Sequence, residues 1–220
     1  MTRYRCLVLD HDDTSVQSTP TVPYPAYVET MRRLRPQLTP ATREEFTRLW
    51  FESRFMETCR DVYHFTPEEM QLQDDNWKEF MQQRVPEFFD GLPQIIRRQR
   101  AEGGLVCVVS HSYARYIRRD YAAAGLSEPN TVMGWEIGAE HQKPSPEPLE
   151  RLMQQFDLTP ADILVVDDLK PGYDMAHACG VPFACAGWSH DDPEIRAFLR
   201  RFSDFYLETV QALEPLLFGA

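Results

Sequence analysis

The chain has 220 residues, 43% of them hydrophobic and 26% charged, which suits one large soluble domain or a core domain carrying a smaller insertion. A formal net charge of −11 argues against a general nucleic-acid binder, and no apolar run approaches the roughly 20 residues of a membrane span. The five cysteines (Cys6, Cys59, Cys107, Cys179, Cys185) are scattered and form no Cys-x-x-Cys pair, so neither a zinc site nor a disulfide framework is expected.

Residues 4–9 read as a buried strand. This apolar start is too short for a signal-peptide core, and a cytoplasmic protein is expected. The run Leu7-Val8-Leu9 ends abruptly in Asp10-His11-Asp12-Asp13-Thr14. Crowded carboxylates repel, so a cation, a phosphate-handling site or both should neutralise them. Asp10 and Asp12 are two apart, so their side chains leave one side of an extended strand end. That arrangement can hold one nucleophile and one acid/base against a single substrate.

From about residue 16 to 90 no strand-like run occurs, but amphipathic stretches do. Tyr24–Arg35 reads as a helix stopped before Pro36. Thr42 to Tyr63 reads as one long helix opened by the capping pattern Thr42-x-x-Glu45. Another helix starts at Thr66, with Pro67 at its first position. Trp50, Phe51, Phe55 and Met56 fall at helical spacing and read as local core, and Arg54 reads as a solvated arginine.

After residue 91 strands and helices alternate. Helices are expected at 91–103, 112–124, 146–156 and 171–179, and strands at 105–109, 131–133, 163–166 and 181–184. This alternation predicts an α/β fold, a Rossmann-like three-layer α/β/α core on a parallel sheet, with a small all-helical domain beside it. In such sheets the chemistry lies beyond the carboxyl ends of the strands. The strong strands end in Asp10, in Ser110, and in Asp167 with Asp168. Lys143 precedes a helix in Gln142-Lys143-Pro144-Ser145-Pro146. Nucleophile, acid/base, hydroxyl, ammonium and metal carboxylates together make a phosphoryl-transfer set, and hard oxygen ligands suit magnesium. Read singly, Ser110 would cap the helix from Ser112, Asp167 and Asp168 would cap the next helix, Asp13 would be a turn residue, and Asp174 would lie on a helix face. His11 and His111 would be packing or hydrogen-bonding residues.

The four motifs in order resemble the haloacid dehalogenase superfamily, in its phosphatase branch with a helical cap inserted after the first motif, as in phosphoglycolate phosphatases and β-phosphoglucomutases. They are Asp10-His11-Asp12-Asp13-Thr14, Val108-Val109-Ser110, Lys143 in Gln-Lys-Pro-Ser-Pro, and Val165-Val166-Asp167-Asp168. The resemblance implies a core of residues 1–15 and 91–220 and a cap of residues 16–90. It implies that Asp10 attacks phosphorus and that Asp12 protonates the leaving oxygen and then activates water. It places Thr14, Ser110, His111 and Lys143 on the phosphate. Mg2+ would be held by Asp10, Asp12 (through its backbone carbonyl), Asp168 and Asp167. Such a cap closes over the site and selects a small phosphorylated metabolite. A monomer or homodimer is expected, with no nucleic-acid or membrane partner.

The chain departs from the family pattern at four places. His11 stands where an apolar residue is commoner, Ser15 follows Thr14 in place of Leu, Asp167 replaces Gly, and Gly172 falls where many members carry a second aspartate. The dehalogenases lack the acid/base aspartate, so Asp12 points to phosphatase chemistry. A phosphohexose mutase of the same superfamily is the alternative enzyme, and a catalytically weak phosphate-binding or regulatory protein is the non-enzymatic one.

Overall fold

The computed structural model describes residues 2–219. They form two compact units, one holding the chain up to Val16 and from Glu87 on, the other Gln17–Pro86. The first is built on six strands: β1 (Cys6–Leu9), β2 (Leu105–Val109), β3 (Thr131–Met133), β4 (Ile163–Asp167), β5 (Phe183–Ala186) and β6 (Phe205–Leu207). All neighbours are parallel, in the order β3-β2-β1-β4-β5-β6. β1 and β4 are buried at every position. A strand covered on both faces has no polar side, which is why these segments read as unbroken apolar runs. The chain leaves β1 toward β2 on one side and β4 on the other, so a crevice opens at the carboxyl end of β1.

The Gln17–Pro86 unit is helical: α1 (Pro23–Leu34), α2 (Arg43–Phe51), a short α3 (Phe55–Glu57) continued by a π-turn over Thr58–Val62, and α4 (Pro67–Gln83). Capping boxes open α2 at Thr42 and Glu45, and α4 at Thr66 and Glu69. The single helix expected from Thr42 to Tyr63 does not form. It breaks after Phe51, and Ser53 takes a left-handed conformation (φ 58°). On a straight helix Phe46 and Phe55 would lie roughly 13 Å apart along the axis. The break instead brings their rings to 5.3 Å and stacks Trp50 on Phe55 at 4.7 Å. Burial of this aromatic cluster, with Tyr27, Met31, Cys59 and Phe65, outweighs the lost helical hydrogen bonds.

The sheet is flanked by α5 (Leu92–Ala101), α6 (Ala114–Ala123), α7 (Glu147–Phe156), α8 (Lys170–Ala178), α9 (Pro193–Phe202) and α10 (Leu213–Phe218). Alternate strand residues Leu7, Leu9, Val106, Val108, Leu164 and Val166 share one buried cluster with Leu92, Ile95, Ile96 and Leu217. β6, α9 and α10 lie beyond the elements read from sequence, although Asp192-Pro193 is an ordinary helix start whose side chain accepts from the Glu194 and Ile195 amides. No helix among the described residues is long and apolar enough to cross a membrane.

His11 follows the end of β1 and is fully buried. Its Nε2 lies 3.1 Å from the Asp120 carboxylate on α6, which Arg119 also engages at 2.6 Å. The imidazole lies against Tyr121 and Phe88. The unusual histidine thus fastens the loop after β1 to α6, filling with a polar pair what an apolar residue would otherwise fill. Removing one partner of a buried polar pair leaves the other unsatisfied. We expect Asp120→Ala to cost about 3 kcal/mol in chemical denaturation. The double variant His11→Leu/Asp120→Leu should recover most of that loss, and strict additivity would contradict the pairing.

Candidate active site

The sheet places three of the site residues directly. Asp10 N–H donates to Val166 O at 2.9 Å and Ser110 N–H donates to Met133 O at 3.0 Å, so both sit in ladders continued past the strand ends. Asp167 closes β4 and Asp168 follows it. Carboxylate oxygens of Asp10, Asp167 and Asp168 lie within 4.8 Å of one another, and all three residues are buried. Lys143, from the loop before α7, puts its Nζ 2.7 Å from Asp10 Oδ1 and 2.5 Å from Asp167 Oδ2.

This cluster is unbalanced. Three buried carboxylates face one ammonium. Burial pushes the Asp10 carboxyl well above the usual carboxylate range; Lys143 opposes this, and the charges of Asp167, Asp168 and Asp12 reinforce it. Asp167 is raised for the same reasons, burial first, with Lys143 opposing and Asp168 adding to it. Burial pulls the Lys143 ammonium down, but Asp10 and Asp167 more than offset that and raise its pKa above the ordinary lysine value. A lysine held cationic and carboxylates short of positive charge fit a hard divalent cation. The donors available are carboxylate oxygens, the set that suits magnesium.

Asp168 is held on both oxygens. Oδ1 accepts from Thr14 Oγ1 at 2.8 Å and Oδ2 from His190 Nε2 at 2.7 Å. Burial lowers the His190 pKa, but its hydrogen bond to Asp168 and the charges of Asp168 and Asp13 raise it more, so the net direction is up. His190 carries no signal in the sequence: it sits in the polar stretch Ser189-His190-Asp191-Asp192 with no motif around it. Thr14, expected on the phosphate, here turns its hydroxyl to Asp168. Asp12 is half-buried and outside the carboxylate cluster, with Oδ1 buried and without a hydrogen-bond partner among the described residues. Asp13 takes a left-handed turn conformation at φ 56°. Asp174 pairs with Lys170 on the face of α8.

Ser110 does not cap a helix starting at Ser112. Its Oγ accepts from the Ser112 amide at 3.2 Å, while α6 starts at Ala114, whose N–H donates to the Glu136 carboxylate at 3.1 Å. His111 Nε2 donates to the Lys143 carbonyl at 3.0 Å, fixing the backbone that carries the ammonium. Burial, and then the Lys143 charge, push the His111 pKa down to about 4. Gly172 also acquires a reason. A Cβ there would lie 2.2 Å from Asp167 Oδ2, so an aspartate at position 172 and the Asp167 carboxylate in its present place are mutually exclusive.

Residues 11–186 match the haloacid dehalogenase-like hydrolase family. Among curated proteins, the pyrophosphatase PpaX of Bacillus cereus is 25% identical over 132 residues, which span 60% of this chain and 60% of that protein. Among solved structures, a haloacid dehalogenase-like hydrolase from Bacteroides fragilis superposes with a TM-score of 0.79 at 16% identity, over 96% of this chain and 99% of its own. A protein described as a predicted phosphoglycolate phosphatase from Haemophilus somnus gives 0.77 at 16% identity, over 98% and 99%. CbbY from Rhodobacter sphaeroides, crystallised with xylulose-(1,5)bisphosphate, gives 0.72 at 17% identity, over 94% of each chain. At these identities the structures establish a shared fold.

Two outcomes follow from the geometry. Gly172→Ala should destabilise the protein by about 1–3 kcal/mol, because the Asp167 carboxylate must leave its position against Lys143; an unchanged denaturation midpoint would contradict the close contact. His111 has a folded pKa of about 4, below its ordinary 6.5. Between those values the unfolded chain binds a proton that the folded one refuses, so stability falls as pH drops through that window. Comparing wild type with His111→Asn by denaturation at pH 7 and pH 4 should show about 2 kcal/mol less loss in the variant.

Proposed function

The chain belongs to the haloacid dehalogenase-like hydrolase family, and from that premise we propose that it is a magnesium-dependent phosphomonoester hydrolase acting on a small phosphorylated metabolite through Asp10. The observation that carries this reading is the placement of Lys143 between Asp10 and Asp167. The ammonium favours the anionic form of Asp10 that a nucleophile needs, against the burial that raises its pKa, and it offers donors to incoming phosphoryl oxygens.

In this mechanism a carboxylate oxygen of Asp10 attacks phosphorus as the bond to the ester oxygen breaks, giving an aspartyl-phosphate. Asp12 donates its proton to the departing oxygen. It then takes a proton from a water molecule, which attacks the same phosphorus and returns Asp10 as a free carboxylate with release of phosphate. Asp12 Oδ1 has no hydrogen-bond partner among the described residues, so no hydrogen bond within the protein ties up that oxygen. Lys143 and Ser110 hold the non-bridging oxygens, and His111, neutral near pH 7, keeps the Lys143 backbone in place. Asp10, Asp167, Asp168 and the Asp12 carbonyl would hold the magnesium ion. When bound, magnesium supplies positive charge that offsets the negative charge of the transferring group.

The likeness to a protein named a pyrophosphatase supports a second reading, in which the leaving group is phosphate itself. Pyrophosphate therefore belongs in the substrate panel beside sugar phosphates and short-chain phosphates.

Asp10→Asn should abolish phosphate release from any substrate the wild type turns over, and retained activity would refute the mechanism. Asp12→Asn should lower kcat by about 10²–10⁴-fold on alkyl phosphates and much less on an aryl phosphate whose leaving group needs no proton. Equal losses on both would contradict the acid role.

A further inference from the structure

Immediately after β5, three consecutive side chains reach the two loops that carry the carboxylates. Trp188 Nε1 donates to the Thr14 carbonyl at 3.3 Å. Ser189 Oγ donates to the Asp13 carbonyl. His190 Nε2 lies 2.7 Å from Asp168 Oδ2 and 3.1 Å from the Asp168 carbonyl oxygen. Each contact spans more than 20 residues of sequence, and all three meet the first or the fourth motif. The loop is itself anchored on both sides. Trp188 packs edge-on against Phe89, and Asp192 caps α9 two residues past His190.

The contacts fall where the backbone needs them. Asp13 is a non-glycine residue in the left-handed region, a conformation that persists only when its surroundings over-determine it. The Ser189 and Trp188 bonds accept that task on consecutive carbonyls, those of Asp13 and Thr14. Asp168 is the mirror case. It follows the last residue of β4, so the sheet does not fix its side chain, yet Thr14 and His190 take one carboxylate oxygen each. Each carboxylate oxygen has a second lone pair, so both stay able to bind a cation while their direction is set by the two donors.

We infer that Trp188, Ser189 and His190 form a positioning strap that fixes the Asp168 carboxylate, through His190, for a divalent cation shared with Asp10 and Asp167. The inference rests on the magnesium-dependent reading above. His190 acts through Asp168 and is a positioning residue. Outer partners of this kind orient metal-binding carboxylates, and their loss typically weakens metal affinity by about 10–100-fold.

The test is Mn2+ binding to the purified protein without substrate, read by electron paramagnetic resonance of the free ion, for wild type, Asp168→Asn, His190→Ala and His190→Gln. Wild type should bind and Asp168→Asn should not. His190→Ala should bind about 10–100-fold more weakly, and His190→Gln, which keeps a side-chain N–H, should recover much of the loss. Trp188→Phe, which keeps the ring and removes the N–H, checks the Thr14 contact with the fold intact. In turnover the His190→Ala defect should appear in the metal activation constant, with kcat largely restored at saturating metal. Unchanged Mn2+ affinity in His190→Ala, beside a lost site in Asp168→Asn, would overturn the strap and leave the magnesium reading standing. Wild type and Asp168→Asn binding alike would overturn both.

Discussion

The Lys143 ammonium lies 2.7 Å from Asp10 and 2.5 Å from Asp167, in a place water scarcely reaches. A buried carboxylate without a partner is among the costliest things a fold can contain. This rim holds three within 4.8 Å. One ammonium compensates part of that charge and leaves an excess. The rest of the site follows from that excess. Thr14 and His190 hold Asp168, the Leu169 amide donates to Asp167 at 2.9 Å, and His111 fixes the backbone of the lysine. The negative charge that remains is of the sign a bound cation would offset.

The sheet makes this arrangement possible. β1 lies between β2 and β4, so its carboxyl end has a strand end on each side and the chain turns away in opposite directions. Residues separated by more than 130 positions, such as Asp10 and Lys143, meet because parallel strands bring their ends to one rim. The hydrogen-bond ladder holds Asp10 and Ser110 where an unpaired loop would let them wander. The carboxylate proposed as nucleophile, placed this way, needs little reorganisation when substrate arrives.

Much of this was legible in the sequence, for physical reasons. Strands buried on both faces leave long apolar runs, and a polar residue at the end of such a run stands out, as Asp10, Ser110 and Asp167 do. Lys143 was visible through its proline-rich loop. Other features were hidden for equally physical reasons. The break after Phe51 carries no glycine or proline; it is imposed by ring packing between Phe46 and Phe55, which no local pattern records. His190 sits in a polar stretch that reads as loop, and its role depends on a contact with Asp168, 22 residues earlier. The oddity of His11 dissolves only when Asp120, 109 residues away, is seen beside it. Gly172 and Asp167 each looked like a departure from the family pattern. They are one departure, since a side chain at 172 would occupy the space of the Asp167 carboxylate.

In the proposed chemistry Asp10 is the residue that takes the phosphoryl group. The most direct measurement is mass spectrometry of protein quenched in acid during turnover of a substrate it hydrolyses. One added phosphoryl group is expected on the peptide that contains Asp10, lost on treatment with hydroxylamine as an acyl phosphate should be. Steady turnover with no phosphorylated protein, or a phosphoryl group on any other residue, would contradict it.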